Sequence, residues 1–364
     1  MTLTSEPSTP DVDIEAEVGA FAERMFDSGI AALELVTIEL GTRLGLYQAL
    51  AEGPCTSGEL AARAGIHERY AREWLEQQAA AGIVRLVAGD EVGFELPPGH
   101  ALALLDQESP AYLVPLASFV ATAGTVLPML VDAFRTGGGV PYAAYDVHEA
   151  QAAFNRPSFV HELAQSWLPA VPGLVDRLSS GAARVAEIGC GGGWASIAIA
   201  RAFSGVTVDA FDVDDASVSM ARGNVAEAGL AERVHVEVAD GGGILSRDGR
   251  YDLVFCVETI HDVPFPVDVL AAMRRLVAPG GSVLVIEPGP SDDPETPAGP
   301  FERLAHSSSV LHCLPVGMNE VGSAATGSVM RTSTFRSYAE AAGFASVEVL
   351  PVDHPMFHFY RLEG

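Results

Sequence analysis

The chain has no lysine, and its 21 cationic side chains face 48 Asp and Glu residues. The formal net charge of −27 argues against nucleic acid as a partner, because phosphate binding needs concentrated positive charge. The missing lysine also excludes a phosphate-cradling P-loop, which needs that residue beside its glycines. We therefore expect a soluble protein with no nucleic-acid partner.

Cysteine is scarce as well, since 364 residues contain only four, and none of them forms a CxxC pair. This spacing is typical of reduced thiols in a cytosolic protein and argues against a disulfide framework. Residues 1–13 are acidic and lack the basic and apolar regions of a signal peptide, so we expect a flexible tail and a cytoplasmic location. The four cysteines are Cys55, Cys190, Cys256 and Cys313.

One uncharged segment, 109–131, is long enough to cross a membrane. It contains Pro110, Pro115 and Pro128, and no basic flank marks a cytoplasmic side. We interpret it as buried helices over a pocket, and we expect no membrane partner.

Residues 14–105 have a helical pattern that ends in two short strands. Thr56 or Ser57 can cap a helix that Gly65 ends, a second helix follows, and residues 82–96 predict a two-stranded wing. DNA binding is disfavoured because four Arg face five acids between Cys55 and Asp90. We expect a mostly helical winged-helix domain that forms a homodimer and walls a pocket.

Residues 106–180 are predicted as connecting helices that line this pocket, broken by proline and glycine. Aromatic residues in such positions are usually core, but some could line a substrate cavity between domains. The candidate substrate-pocket residues, which include two histidines from farther along the chain, are Phe119, Tyr145, Phe154, Trp167, His306 and His312.

From residue 181 to 364, short apolar strands alternate with helical segments. Such repeats predict an α/β fold with a parallel sheet, helices on both faces and ligands at the carboxyl ends of the strands. Residues 288–330 are predicted to be an insertion that roofs the site. The predicted strands are 184–188, 206–211, 233–239, 251–257 and 281–287, and a closing hairpin follows at 346–350 and 356–361.

The segment 184–193, Arg-Val-Ala-Glu-Ile-Gly-Cys-Gly-Gly-Gly, joins the first of these strands to a glycine loop. Glycines allow a sharp turn and a close approach of the backbone to a ligand. A dinucleotide fingerprint would need its third glycine where Trp194 stands. Two acids follow the next strands: Asp212 could accept hydrogen bonds from ribose hydroxyls and Asp240 from an adenine amino group.

The order acid, any, Gly, any, Gly, any, Gly resembles the first motif of the class I S-adenosylmethionine (SAM) dependent methyltransferases. The resemblance implies a Rossmann-like sheet that binds SAM and releases S-adenosylhomocysteine (SAH). It places the cofactor contacts at Glu187, Gly189, Gly191, Gly193, Asp212, Val213, Asp240, Gly241 and Cys256.

The fourth strand leads into His261-Asp262, and residues 276–287 resemble the turn and fifth strand of bacterial class I methyltransferases with an N-terminal winged helix. In the related plant-type small-molecule O-methyltransferases the matching histidine is the general base. The resemblance therefore implies a small-molecule acceptor, with His261 as base and with Asp262 and Glu287 orienting the imidazole or the substrate. Histidine suits this role because its pKa lies near the working pH.

Three alternatives remain open from the sequence. His261, Asp262 and His312, with His306 as an equal rival, could hold iron or zinc, as in some α-keto-acid C-methyltransferases of similar fold. The leading interpretation needs no metal. SAM could instead be consumed in another reaction such as its own cyclisation, or the chain could be a SAM-responsive DNA-binding regulator.

Overall fold

A computed structural model describes residues 13–89, 91–239, 251–292 and 296–364. The chain forms two compact units. The first comprises residues up to 101 together with 116–121, and the second comprises 102–115 and 122–364.

The first unit is mostly helical, as predicted. Its first helix is a single 30-residue element, capped by Asp13, whose side chain accepts from the Ala16 amide. The wing is confirmed as an antiparallel pair in which Arg85 lies opposite Glu95. The elements are α1 (Ile14–Arg43), α2 (Leu46–Ala51), α3 (Ser57–Ala64), α4 (Glu68–Ala80), β1 (Arg85–Val87), β2 (Gly93–Glu95) and α5 (Pro98–Leu105).

The predicted helix signals around α3 are confirmed. Thr56 accepts a hydrogen bond from the Glu59 amide while the Glu59 carboxylate accepts from the Thr56 amide, which is a capping box. Gly65 ends the helix in the left-handed conformation, at φ +68°. The unit is held together by buried side chains, among which the Tyr47 hydroxyl donates to Gln78 Oε1 at 2.5 Å.

The next helix, α6 (Val114–Thr136), is long and apolar enough to cross a membrane by length and composition. One such helix is weak evidence for a membrane protein, because core helices of other proteins pass the same test. It carries Pro128 in its interior and Asp132 and Arg135 near its end.

The second unit contains the α/β core, and its helices and strands alternate as the sequence predicts. A π-helical segment, Phe159–Trp167, follows the helix His148–Ser158, and another, Ser309–Cys313, lies between the helices Pro300–Ser308 and Leu314–Gly317. The remaining helices are α7 (His148–Ser158), α8 (Leu174–Ser179), α9 (Trp194–Ala202), α10 (Asp215–Glu227), α11 (Pro266–Leu276), α12 (Pro300–Ser308), α13 (Leu314–Gly317) and α14 (Thr332–Ala341). The strands are β3 (Arg184–Ile188), β4 (Thr207–Asp212), β5 (Val234–Val238), β6 (Tyr251–Val257), β7 (Val277–Pro288), β8 (Ser346–Val349) and β9 (Phe357–Glu363).

Seven strands form one sheet in the order β5-β4-β3-β6-β7-β9-β8. Its first five strands are parallel, and β9 and β8 complete it in antiparallel fashion. The central strands are apolar on both faces, as expected when helices cover a parallel sheet on both sides. The predicted Rossmann-like fold class and the closing hairpin are confirmed, and the carboxyl ends of β3, β4 and β6 meet at one edge.

Candidate functional site

A cavity of about 400 Å³ opens at this edge of the sheet, wholly within the second unit. The ends of β3, β4 and β6 form its floor, α7 contributes one wall, and residues 316–320 of the predicted insertion contribute another part. Such a position, beyond the carboxyl ends of parallel strands, is where α/β sheets bind ligands.

The glycine loop after β3 borders this cavity. Gly189 and Gly191 line it and have φ values of +71° and +48°, which L side chains rarely adopt. A Cβ at Gly189 would lie 2.5 Å from Thr259 Oγ1, whereas a Cβ at Gly191 would meet nothing within 4 Å. Gly189 is therefore required by internal packing, and Gly191 leaves space beside the cavity.

Two predicted cofactor acids lie on either side of the loop. Glu187 is buried and accepts a short hydrogen bond from Ser196 Oγ. Burial raises the pKa of Glu187 to about 8. Asp212 accepts from the Gly191 amide at 2.8 Å and the Asp214 amide at 3.0 Å, and its pKa is also raised by burial.

Helix α7 contacts three parts of the cavity from one face. His148 Nε2 lies 3.2 Å from Asp214 Oδ2, beyond the end of β4. A Cβ on Gly192 would lie 2.6 Å from Ala152 Cβ, so this glycine permits the close approach of the helix to the loop. Seven residues beyond His148, Asn155 donates to the Glu258 carboxylate at the end of β6.

The predicted catalytic residues form a continuous chain of side chains. Glu287, fully buried at the end of β7, accepts at Oε1 from the amides of Thr259 and Ile260. Its Oε2 lies 2.6 Å from His261 Nδ1. On the other side of the ring, Nε2 lies 3.1 Å from Asp262 Oδ1. That contact is poorly aligned, because the Asp262 oxygen has no hydrogen bond of good geometry.

This chain sets the charge of the imidazole. Burial would lower the pKa of His261, but the carboxylates of Asp262 and Glu287 raise it well above the usual range. Burial would raise the pKa of Asp262, but His261 lowers it. The arrangement therefore favours a histidine cation between two carboxylates, of which Asp262 lines the cavity and His261 lies behind it.

Thr259 joins the glycine loop to the connected side chains of Glu287, His261 and Asp262, which we call the histidine chain. Its amide donates to Glu287, and its hydroxyl lies 3.0 Å from the Val257 carbonyl and 3.3 Å from the Ile188 carbonyl at the end of β3. The same hydroxyl occupies the space that a side chain at 189 would need.

The structure brings together most of the predicted cofactor residues. Gly193 and Cys256 are not in the cavity lining: Gly193 caps α9, and Cys256 is fully buried beside Met273. Asp240 and Gly241 lie outside the described residues. Those that line the cavity are Glu187, Gly189, Gly191, Asp212 and Val213.

The six candidate substrate-pocket residues are absent from the described lining of this cavity. Trp167 is fully buried and packs edge-on against Phe357 and Phe359 as core, and Phe119 belongs to the first unit. His306 is half exposed on α12. The others lie elsewhere in the second unit: Phe154 on α7, and Tyr145 with its ring 4.6 Å from that of His312. The aromatic residues that do line the cavity are Tyr142, Phe159, Trp194 and Phe211.

The described residues include one group with the chemistry of a metal site. Ligand atoms of His261, Asp262 and Cys313 lie within 4.8 Å of one another. Cys313 thus stands where the sequence analysis placed His312. The His312 ring is adjacent, with a buried Nε2 that has no hydrogen-bond partner, and burial lowers its pKa.

Sequence reasoning missed Glu258 and Asn155, which line the cavity together. Glu258 directly follows β6, so its place at the carboxyl end of a parallel strand was a usable signal. Asn155 had no such signal, because its helix reaches the cavity only through the tertiary fold.

Two family models match parts of the chain. Residues 185–281 match a family described as a methyltransferase domain, and residues 31–105 match the Rv2258c-like winged HTH domain. The ubiquinone biosynthesis O-methyltransferase of Leptothrix cholodnii is 29% identical over 161 residues, which are 44% of this chain and 63% of that protein. The chain therefore spans less than two thirds of that relative.

Solved structures resemble the chain over nearly its whole length. An O-methyltransferase family protein from Burkholderia thailandensis has a TM-score of 0.66 at 20% identity, with 97% of this chain and 98% of that chain covered. Human N-acetylserotonin methyltransferase in complex with SAM has a TM-score of 0.66 at 17% identity, with 98% and 100% covered. At these identities the likeness shows the fold.

Proposed function

We propose that this chain, in which a match to a methyltransferase domain follows a match to a winged HTH domain, transfers a methyl group from SAM to an oxygen atom of a small molecule. The observation that carries the proposal is the shared cavity. The glycine loop and Asp212 line one part of it, and Asp262, backed by His261 and Glu287, lines another.

The residues of the first part fit SAM. Asp212 can accept from ribose hydroxyls, and Gly191 leaves room for close approach by a nucleoside. Bound there, SAM supplies an electrophilic methyl group on its sulfonium. The protein's contribution is to hold the acceptor oxygen in line with that carbon, which is a large part of the catalysis in such transfers.

The acceptor hydroxyl must also lose its proton, and we assign that proton to His261. The contact between Nε2 and Asp262 is poorly aligned, and Asp262 lines the cavity in front of His261, so a hydroxyl that displaces Asp262 becomes the partner of Nε2. Glu287 keeps the other nitrogen occupied and fixes the ring. Nε2 of His261 would take the proton of the acceptor oxygen, while bound SAM would supply the methyl group and leave as SAH when its methyl–sulfur bond breaks.

The test is a mass-spectrometric screen of phenolic and alcoholic metabolites with methyl-labelled SAM. Removing a positioned base typically costs about 10²- to 10⁴-fold in rate, which is the loss expected for His261→Ala. SAH binding, measured by calorimetry, should persist in this variant. Unchanged turnover would contradict the assignment of the base.

The pH profile separates a base from a merely structural histidine. Because the pKa of His261 is raised, the fraction with a free Nε2 grows as pH rises, and kcat/KM should increase through and above neutral pH. Asp262→Asn removes one of the raising carboxylates, so the rise should move to lower pH. A structural role would leave the position of the rise unchanged.

A second candidate function, metal-assisted C-methylation of an α-keto acid, is favoured by the grouping of His261, Asp262 and Cys313 and by the unpartnered Nε2 of His312. Such ligands suit iron or zinc. In the screen, turnover that is lost with a chelator and restored by one metal would support it. Turnover unchanged by the chelator would favour the metal-free reaction.

We also propose a homodimer formed through the N-terminal domain. Helix α1 exposes a series of large apolar side chains, and contiguous apolar surface of this kind marks interaction sites. The exposed fractions are Val18 63%, Phe21 60%, Met25 59%, Phe26 70% and Leu33 71%.

We propose a cytoplasmic location for the protein. All four cysteines are buried and none forms a disulfide, which supports this location.

A further inference from the structure

The end of β6 carries a carboxylate that the proposed reaction does not use. Glu258 lines the cavity between the glycine loop and Asp262, although its φ of +51° is a left-handed value that few residues other than glycine adopt. Such strain is tolerated where the surrounding structure imposes it, often at ligand sites. Its amide is fixed by the Ile286 carbonyl at 2.8 Å, so the backbone of the neighbouring strand holds this conformation.

The side chain of Glu258 is also held in place. Asn155 on α7 donates to its Oε2 from across the cavity wall. An amide donor is neutral, so this hydrogen bond orients the carboxylate without balancing its charge. Burial raises the pKa of Glu258, whereas the charge of His261 and the hydrogen bond from Asn155 lower it.

Three of the other carboxylates that line the cavity have further partners. Asp214 caps α10 and contacts His148, Asp262 faces His261, and Asp212 accepts two backbone amides. Among the lining residues that the structure describes, none is arginine and the chain has no lysine. A ligand with positive charge therefore complements Glu258, whereas a ligand carboxylate or phosphate would be repelled by it.

We infer that Glu258, oriented by Asn155, is a specificity-determining residue that binds a protonated amine in the cavity. This inference deepens the proposed function, since it assigns the acceptor to neutral or amine-bearing compounds. The amine has two possible sources, the acceptor itself or the α-ammonium group of the cofactor. Both make the same charge-assisted hydrogen bond to the free carboxylate oxygen.

Calorimetry with matched probes tests it. Dopamine and 4-methylcatechol share the catechol ring and differ in the amine, and they are titrated into native protein and Glu258→Gln saturated with SAH. SAH and 5′-methylthioadenosine, which differ in the amino-acid portion, are titrated separately. Glu258→Gln keeps the size and the partner of the side chain and removes its charge.

If Glu258 binds an amine of the acceptor, Glu258→Gln should weaken the binding of dopamine at least about tenfold. The affinities for 4-methylcatechol and SAH should stay unchanged. If Glu258 binds the ammonium group of the cofactor, the affinity for SAH should fall by the same factor and the affinity for 5′-methylthioadenosine should stay unchanged. Asn155→Ala, which frees the carboxylate without removing it, should weaken the same ligand by less than Glu258→Gln.

The inference is overturned if Glu258→Gln changes the affinity for neither dopamine nor SAH. It is also overturned if the affinity for the amine-free probe of a pair falls by the same factor. It is also overturned if Glu320→Gln, which removes a charge from the exposed rim of the cavity, has the same effect. Native protein that binds an amine through Glu258 but transfers no methyl group would contradict the proposed function and leave this inference standing.

Discussion

Glu187 is the penultimate residue of the strand before the glycine loop, and its burial favours the uncharged form of the carboxyl group. Burial raises its pKa from 4.5 to about 8, so the folded protein holds its proton where the unfolded chain has released it. The stability due to this proton is fully present below pH 4.5 and is lost as pH rises through about 8.

Glu187→Gln removes this dependence, because an amide keeps an oxygen for Ser196 and cannot ionise. The midpoint of thermal unfolding is measured without ligand for the variant and for native protein. The variant's midpoint minus the native midpoint should increase by at least about 3 °C from pH 5 to pH 9. Glu227→Gln, on the exposed side of α10, is the matched control and should show a constant difference. A pH-independent difference for Glu187→Gln would show that this carboxyl group titrates normally.

At the same scale, sequence reasoning predicted the identities of the histidine chain and missed its geometry. His261 and Asp262 are adjacent in sequence, but only Asp262 lines the cavity. The cause is Glu287, 26 residues further along, which binds the ring from behind. A sequence pattern can place His261, Asp262 and Glu287 at one edge of the sheet. Their order from the core to the cavity depends on the register of the strands.

Among the elements, α1 is the one whose apolar side chains are left most exposed. Phe21 and Leu33 are 60% and 71% exposed on it. Replacing both with serine should convert the dimer to a monomer in sedimentation velocity, because apolar burial drives such association. Glu23→Ser on the same helix should remain dimeric. A monomeric native protein, or a dimer that survives the double substitution, would contradict the proposed interface.

The strands and the glycine loop could be predicted because their signals are local: apolar runs, glycines at fixed spacing and capping residues. The contacts of helix α7 with Asp214 and Glu258 could not, since they join segments more than 60 residues apart. Sequence reasoning looked instead for aromatic residues in this region. Trp167 proved to be core because the sheet supplies Phe357 and Phe359 against it.

On the scale of the whole molecule, the net charge of −27 argues against DNA binding by the winged-helix domain. Within the helix-turn-helix itself, Arg69 and Arg72 pair with Glu73 and Glu68 one turn away, and Arg63 donates to backbone carbonyls. This leaves little positive potential for a phosphate backbone.

We expect no binding of a labelled DNA duplex in fluorescence anisotropy at physiological ionic strength, with or without SAM. Lowering the salt should not produce binding, because the net repulsion between two polyanions grows as screening falls. Salt-dependent, saturable binding would revive a regulatory role for the winged-helix domain.

Thr259 has a consequence for how this enzyme could change over evolutionary time. One residue fills the space beside the cofactor loop and, through its amide, anchors the carboxylate behind the histidine. Drift at this position would disturb two functions at once, so compensation would have to arise on both sides together. New acceptors are therefore more easily acquired through Val316, Asn319 and Glu320, which line the cavity outside this network.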